Sequence, residues 1–349
     1  MAKKQEKDES LQELKNHLKT KQIGRLYFFH GEETFLLNHY LTKLKGILLD
    51  PVTESFNFHR FTAETFDMLA FGDAVENLPM MAESTFVQVD DIDVFKLPEE
   101  DRLRMVEILS DIPDYCTVVF TYLTAPWKPD KRLKKLWDVV DKNGFAIEFA
   151  KQNQRNLVAW IQRHFAARKK RIAPNLCVYL IEITGGTMTA LSGEIDKICA
   201  YSGSEEICRS DIDAVTEPVL DAVVFHMTDL LSEGQYAESL LKLQQLLKMQ
   251  QEPIAILGAV GSHFRRIATA RTLMDNGRNA SDLQRLCPPL YDTAARKTMD
   301  TARRFKPEFC RKAAQLVLET DYRMKTSFDD KERLLELLIL QLAQEAKNG

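Results

Sequence analysis

Between residues 25 and 149 the sequence alternates between segments typical of buried strands and segments typical of amphipathic helices. This alternation constrains the fold strongly, because consecutive parallel strands need a crossover connection, usually a helix. It predicts an α/β domain with a mostly parallel five-stranded sheet and helices on both faces. The predicted strands lie near 26–29, 56–61, 85–89, 116–120 and 145–149, and the helices between them near 36–49, 66–77, 98–110 and 130–141.

After residue 150 the strand pattern stops, and apolar residues recur at helical spacing. Four helices, near 156–168, 174–184, 187–201 and 211–217, indicate a small helical domain. Glycine and proline then separate seven further helices, near 219–232, 235–249, 254–275, 279–286, 290–304, 308–325 and 329–346. The predicted domains are therefore 1–150, 151–217 and 218–349.

The composition is that of a globular chain, with 45% hydrophobic and 28% charged residues among 349. A net charge of -4 argues against a wholly basic nucleic-acid binder. No apolar run is long enough for a membrane span, and the charged first ten residues do not resemble a secretory signal, so we expect a cytoplasmic protein that does not contact a membrane. The six cysteines and seven histidines are scattered, which predicts no metal site.

The loop after the first strand is where a doubly wound sheet ordinarily binds phosphates. Here it reads Gly31, Glu32, Glu33 and Thr34, without the lysine and second glycine of a P-loop. Two carboxylates would repel a triphosphate. The loop therefore indicates a degenerate nucleotide site, although a divergent ATP site in an ATP-hydrolysing motor stays an alternative.

The third strand is followed by an acidic stretch that includes Asp91 and Asp93. Two carboxylates at the carboxyl end of a strand could hold Mg²⁺, as in a nucleotidyltransferase. The alternative interpretation is an acidic, solvated strand end.

Four apolar residues, Leu78, Pro79, Met80 and Met81, follow an acidic predicted helix. Such residues commonly belong to the core. The alternative is an exposed plug for a partner's pocket, for which the flexible methionine side chain is well suited.

A run of four basic residues, Arg168, Lys169, Lys170 and Arg171, ends the first helix of the second domain. These residues are candidate DNA contacts, because Lys and Arg neutralise backbone phosphates. Basic residues are also common at solvated helix C-termini without any ligand.

In order and spacing, these features resemble the delta-subunit family of the bacterial DNA polymerase III clamp loader. The resemblance covers nearly the whole chain. Its motifs are YFFHGEE at 27–33, LPMMAE at 78–83, KPDKRLKKL at 128–136, TGG at 184–186, EIDKI at 194–198, VFHMTD at 224–229, FRR at 264–266 and DYRMK at 321–325.

The resemblance implies an AAA+-like first domain without ATPase activity, a helical lid domain and an all-α collar domain. It implies that the chain binds and opens the ring-shaped sliding clamp (beta), so that ATPase partners can load it on primed DNA during replication. The collar would join the ATPase and delta-prime subunits, and DNA would be bound as part of the complex. It implies no cofactor and no catalytic residue of its own, only membership of a DNA-directed DNA polymerase.

The residues that match the family's clamp-binding wedge are Leu78, Met80 and Met81. The family commonly has Leu-Phe at the apolar pair where this chain has Met80 and Met81. Both positions remain large and apolar, so the resemblance implies the same mode of binding.

Overall fold

The computed structural model describes residues 2–288 and 290–348. Contacts within the chain divide it into two compact units, Met1–Gln152 and Asn153–Gly349. The boundary between the two units lies two residues from the predicted end of the α/β domain.

The first unit contains one five-stranded parallel sheet with the strand order β2-β3-β4-β1-β5. The strands are β1 Leu26–His30, β2 Phe58–Phe61, β3 Thr85–Asp90, β4 Cys116–Tyr122 and β5 Gly144–Glu148. The helices are α1 Ala2–Thr20, α2 Thr34–Leu48, α3 Glu54–Asn57, α4 Met68–Glu76, α5 Glu99–Ser110 and α6 Lys134–Asn143.

Two apolar cores, one on each face, explain why the sheet is covered on both sides. Successive side chains of a strand point to opposite faces. Phe28 accordingly packs with Val87 and Phe120 in one core, whereas Tyr27 and Phe29 pack in the other. The predicted α/β fold, with a parallel five-stranded sheet and flanking helices, is confirmed.

Two helices of this unit were not predicted. The first, α1, is mostly polar, but its Leu14 is fully buried and packs in the same core as Tyr27. The second is the single turn α3, which contains Phe56. The prediction of a strand at Phe56 was wrong: Phe56 lies in this helical turn with its side chain exposed, and the strand begins at Phe58.

The second unit is almost entirely helical. Its helices are α7 Gln154–Ala167, α8 Pro174–Thr184, α9 Met188–Tyr201, α10 Arg209–Val215, α11 Leu220–Ser232, α12 Tyr236–Lys248, α13 Pro253–Asp275, α14 Ala280–Leu286, α15 Asp292–Arg304, α16 Pro307–Thr326 and α17 Lys331–Asn348. The expectation that strands end at residue 150 was wrong in one detail. Two-residue strands, β6 Arg171–Ile172 and β7 Glu206–Ile207, pair in parallel.

The long helix α13 organises the last seven helices, because it contacts α11, α14, α15, α16 and α17. Helices on both sides of the predicted boundary at 217/218 share hydrogen bonds: the Val219 N–H donates to Ile183 O (2.8 Å), and the Tyr291 hydroxyl donates to Gly186 O (2.8 Å). The division of this unit into lid and collar stays a prediction.

Within the described residues, no single helix has the length and apolar character of a membrane span. Only α8 and α9 taken together meet those criteria, across a bend of 119°.

Candidate functional site

The loop between α4 and β3 presents large apolar side chains to solvent. Met81 is 90% exposed, Leu78 is 75% exposed and Met80 is 57% exposed. These exposures exclude the interpretation of the methionine pair as core. The pair lies in the loop beyond the end of α4 rather than on the helix itself.

Hydrogen bonds hold both ends of α4, from which this loop departs. The Asp67 carboxylate caps the first turn by accepting from Ala70 N–H (2.9 Å). At the other end, the Tyr115 hydroxyl donates to the Glu76 carbonyl (2.7 Å). The helix is therefore a fixed base for the apolar loop.

The buried side chain of Asn57 contacts the loop itself. Its Oδ1 accepts from Met80 N–H (2.7 Å), and its Nδ2 donates to Met80 O (2.9 Å) and to Thr53 O (3.0 Å). Asn57 was not among the predicted site residues. Its distance from Met80 in the sequence gives no pattern that would reveal the contact.

The predicted degenerate nucleotide loop is bonded to the segment that follows β5. Glu33 N–H donates to Phe149 O (2.9 Å), and Phe149 N–H donates to His30 O (2.7 Å). Gly31 has a φ of +127°, and a Cβ there would lie 2.3 Å from Phe149 O. The structure thus brings Gly31, Glu32, Glu33 and Thr34 together at the start of α2, with the main chain of Phe149 against them.

Glu33 places a carboxylate at the N-terminus of α2, where a helix dipole ordinarily favours a bound anion. The residue is 8% exposed. Burial raises the pKa of the Glu33 carboxyl above its usual value, and the Phe35 N–H and the charge of Lys151 oppose that rise. A phosphate at this position would meet the protein's own acidic group.

Asp91 and Asp93 take part in separate contacts. The Asp91 carboxylate accepts from the N–H groups of Leu123 (2.7 Å), Thr124 (2.8 Å) and Ala125 (3.0 Å). Burial alone would raise the pKa of Asp91, but these hydrogen bonds lower it below its usual value. Asp93 pairs with Lys96 (3.0 Å).

No group of three or more His, Cys, Asp or Glu side chains within the described ranges could hold a metal ion. The hydrogen bonds of Asp91 and the ion pair of Asp93 account for both carboxylates. The geometry therefore gives no support to a magnesium-dependent nucleotidyltransferase that uses them.

The basic run at the end of α7 is divided between internal contacts and solvent. Arg168 forms an ion pair with Asp196, and Lys170 Nζ donates to Ser202 O (2.7 Å) and Ser204 O (2.6 Å). Lys169 and Arg171 are exposed. Of the four candidate DNA contacts, these two present their charge most openly.

The last two helices expose apolar residues although they also supply much of the core. On α16, Leu318 and Tyr322 are one helical turn apart and exposed, and Leu337 and Leu340 are exposed on α17. Exposed apolar residues at helical spacing are typical of a surface that packs against other helices.

Two family models match the sequence. Residues 27–150 match the model for "DNA polymerase III, delta subunit", and residues 221–342 match the model for its C-terminal domain. Together they cover more than half of the chain. It belongs to the DNA polymerase III delta subunit family.

Curated relatives extend the similarity over most of the length. The chain is 27% identical to DNA polymerase III subunit delta of Bacillus subtilis over 335 residues, which covers 93% of the chain and 94% of that protein. It is 22% identical to the probable subunit delta of Aquifex aeolicus over 264 residues, or 73% of each. Membership makes the chain a component of the DNA polymerase III complex, which acts in DNA replication.

A solved structure shows the same fold. The Bacillus subtilis DNA clamp loader delta protein superposes with a TM-score of 0.67 at 23% identity, over 95% of the chain and 99% of that structure. The predicted clamp-loader delta-subunit fold is confirmed. The roles of individual site residues stay predictions.

Proposed function

We propose that this delta-family chain binds a ring-shaped sliding clamp through Met80 and Met81 and holds it open for loading on primed DNA. The exposure of these two methionines on a fixed base is the observation that supports the proposal. Burying such side chains in a partner is favourable because their apolar surface leaves water. Leu78 is exposed beside them and extends the same apolar surface.

Opening requires more than tight binding. A closed ring is held by its own subunit interfaces, so the chain must bind the open form more tightly than the closed form. A small apolar plug beside an interface can meet this requirement by occupying a pocket that changes shape when the ring opens. The binding energy then shifts the ring towards the open state without a chemical step.

We further propose that the chain neither binds nor hydrolyses ATP and has no catalytic activity of its own. The loop after β1 has no lysine, and Glu33 lies at the start of α2, where an anion would bind. ATP hydrolysis then belongs to the partner subunits. Titration calorimetry with Mg²⁺-ATP should show no binding at micromolar affinity, and measurable binding would contradict this part of the proposal.

The second unit provides the surfaces that would contact the other partners. The exposed apolar residues of α16 and α17 would pack against the ATPase and delta-prime subunits, and Lys169 and Arg171 would contact DNA within the assembled complex. Losing a phosphate contact weakens binding for all sequences alike and reduces its salt dependence. Joint replacement of Lys169 and Arg171 by alanine should therefore reduce the salt dependence of DNA binding by the loader.

The direct test of clamp opening uses the cognate clamp loaded on circular DNA. The full chain should release the clamp in the absence of ATP, because opening draws on binding energy alone. Linear DNA, from which a closed clamp slides off, gives the full-release reference. Binding without release would contradict opening, and absence of binding would contradict the whole proposal.

A further inference from the structure

We propose that Asn57 is the positioning residue of the clamp-binding loop, which is residues 77–84. This inference rests on the proposed function of Met80 and Met81. Asn57 would not touch the clamp: it is fully buried and acts through the backbone of Met80.

The loop needs such a residue because its apolar side chains do not fold inward. Met80 and Met81 are largely exposed, so burial of their own side chains contributes little to fixing their position. At its ends the loop is held by Asn77 N–H to Asp73 O (2.9 Å) and Thr85 N–H to Tyr115 O (2.8 Å). Between these ends, Asn57 bonds both the amide and the carbonyl of Met80.

The carboxamide matches these contacts chemically. It offers an acceptor and two donors, and here the acceptor takes Met80 N–H while the donors bond the carbonyls of Met80 and Thr53. Aspartate keeps the acceptor but, when ionised, has no donor. Alanine has neither.

The fixed Met80 backbone also determines the conformation of its neighbour. Met81 has a φ of +54°, in the left-handed region that non-glycine residues adopt rarely. That conformation persists only where the surroundings hold it. With Met80 bonded on both sides, the side chain of Met81 is held pointing into solvent.

The consequence for binding is preorganisation. A mobile loop loses conformational freedom when it enters a partner's pocket, and that loss weakens affinity. Asn57 removes this cost in advance. Its loss should therefore weaken clamp binding while the apolar side chains themselves are unchanged.

The test measures clamp affinity of the full chain with Asn57→Ala, alone and combined with Met80→Ala and Met81→Ala. We expect Asn57→Ala to weaken binding by about 10- to 100-fold. When both methionines are already alanine, we expect a further loss of less than about threefold, since the residue acts through them. An equal loss in both backgrounds would overturn the positioning role.

A matched control removes another asparagine that bonds main chain in the same unit. Asn143 Nδ2 donates to Leu109 O (3.2 Å). Asn143→Ala should leave clamp affinity unchanged. A loss equal to that of Asn57→Ala would overturn the proposal, because the effect would then come from general destabilisation.

Hydrogen exchange provides a readout that needs no variant. In the unaltered chain the Met80 amide should exchange at least about 100-fold more slowly than a free amide, because it donates to a buried acceptor. Fast exchange would overturn the proposal. If Asn57→Ala fails to fold, Asn57→Asp fills the same space without the donors, and unchanged affinity in that variant would likewise overturn it.

The failures of the two proposals are distinguishable. If the double methionine variant binds the clamp normally, the proposed function of the loop fails. If that variant loses binding but Asn57→Ala changes neither affinity nor Met80 exchange, only the role of Asn57 fails.

Discussion

Replacing Met80 and Met81 together by alanine should abolish most clamp binding without unfolding the chain. The two residues are 57% and 90% exposed, so this fraction of each is free to be buried by a partner. Full burial of a methionine side chain contributes about 1.5–3 kcal/mol. Scaled by the exposed fractions, the pair contributes about 2–4 kcal/mol, or about 30- to 1,000-fold in Kd.

The exposures also predict an order of effects. Met81→Ala should weaken binding more than Met80→Ala, because Met81 has more surface left to bury. The melting temperature of the double variant should remain within about 2 °C of the unaltered chain, since exposed side chains contribute little to folding. Met249→Ala removes a partly exposed methionine of the second unit and should change neither the clamp affinity nor the melting temperature.

The assay pairs titration of the clamp with thermal unfolding on the same samples. A folded double variant that binds within about threefold of the unaltered chain would refute the reasoning. A large fall in melting temperature would also refute it, because the two side chains would then be supporting the fold.

Gly31→Ala should lower the free energy of unfolding by about 3 kcal/mol or more, because the new Cβ would lie 2.3 Å from Phe149 O at a positive φ; urea unfolding checks this, and a loss below about 1 kcal/mol would contradict it. Burial lowers the pKa of His263 from 6.5 to about 3, so the unfolded chain binds the proton first, and the stability of the second unit should fall by about 2 kcal/mol from pH 7.5 to 5. His263→Phe should lack this component, because phenylalanine has no titrating group, and equal pH dependence in both chains would contradict that cause. A chain ending at Gln152 should keep clamp affinity but lose assembly with the other loader subunits, as measured by size-exclusion chromatography of the mixed subunits, and co-elution would contradict the assignment.

The sequence predicts β1 and β4 well because their apolar runs, 26–29 and 118–120, are short and continuous. Two polar residues separate Phe58 and Phe61 in β2, and the start of that strand was misplaced at Phe56. Helix α1 was missed because its apolar positions are few, although Leu11, Leu14 and Leu18 recur at helical spacing and pack in the core that contains Tyr27. Strands β6 and β7 have two residues each, too few for any periodicity. Tertiary context determines such elements.

The same distinction applies to the candidate site. The apolar character of Met80 and Met81 is visible in the sequence, but whether they face the core or solvent depends on packing. Asn57 lies between Phe56 and Phe58, and its hydrogen-bond partner in the apolar loop, Met80, lies far along the sequence. A contact of that kind has no local pattern and could be found only in three dimensions.

The bonds between Phe149 and the first loop of the sheet have a consequence for timing. In a doubly wound sheet this loop commonly binds a nucleotide, and nucleotide binding or hydrolysis can move the segments around it. Here hydrogen bonds to the main chain of Phe149 hold the loop in place. On the proposed function, the first unit then has no nucleotide-driven switch of its own, and nothing within it changes the exposure of Met80 and Met81 during a loading cycle. On that proposal, the timing of clamp binding would come from a neighbouring chain that covers the methionine pair and later uncovers it.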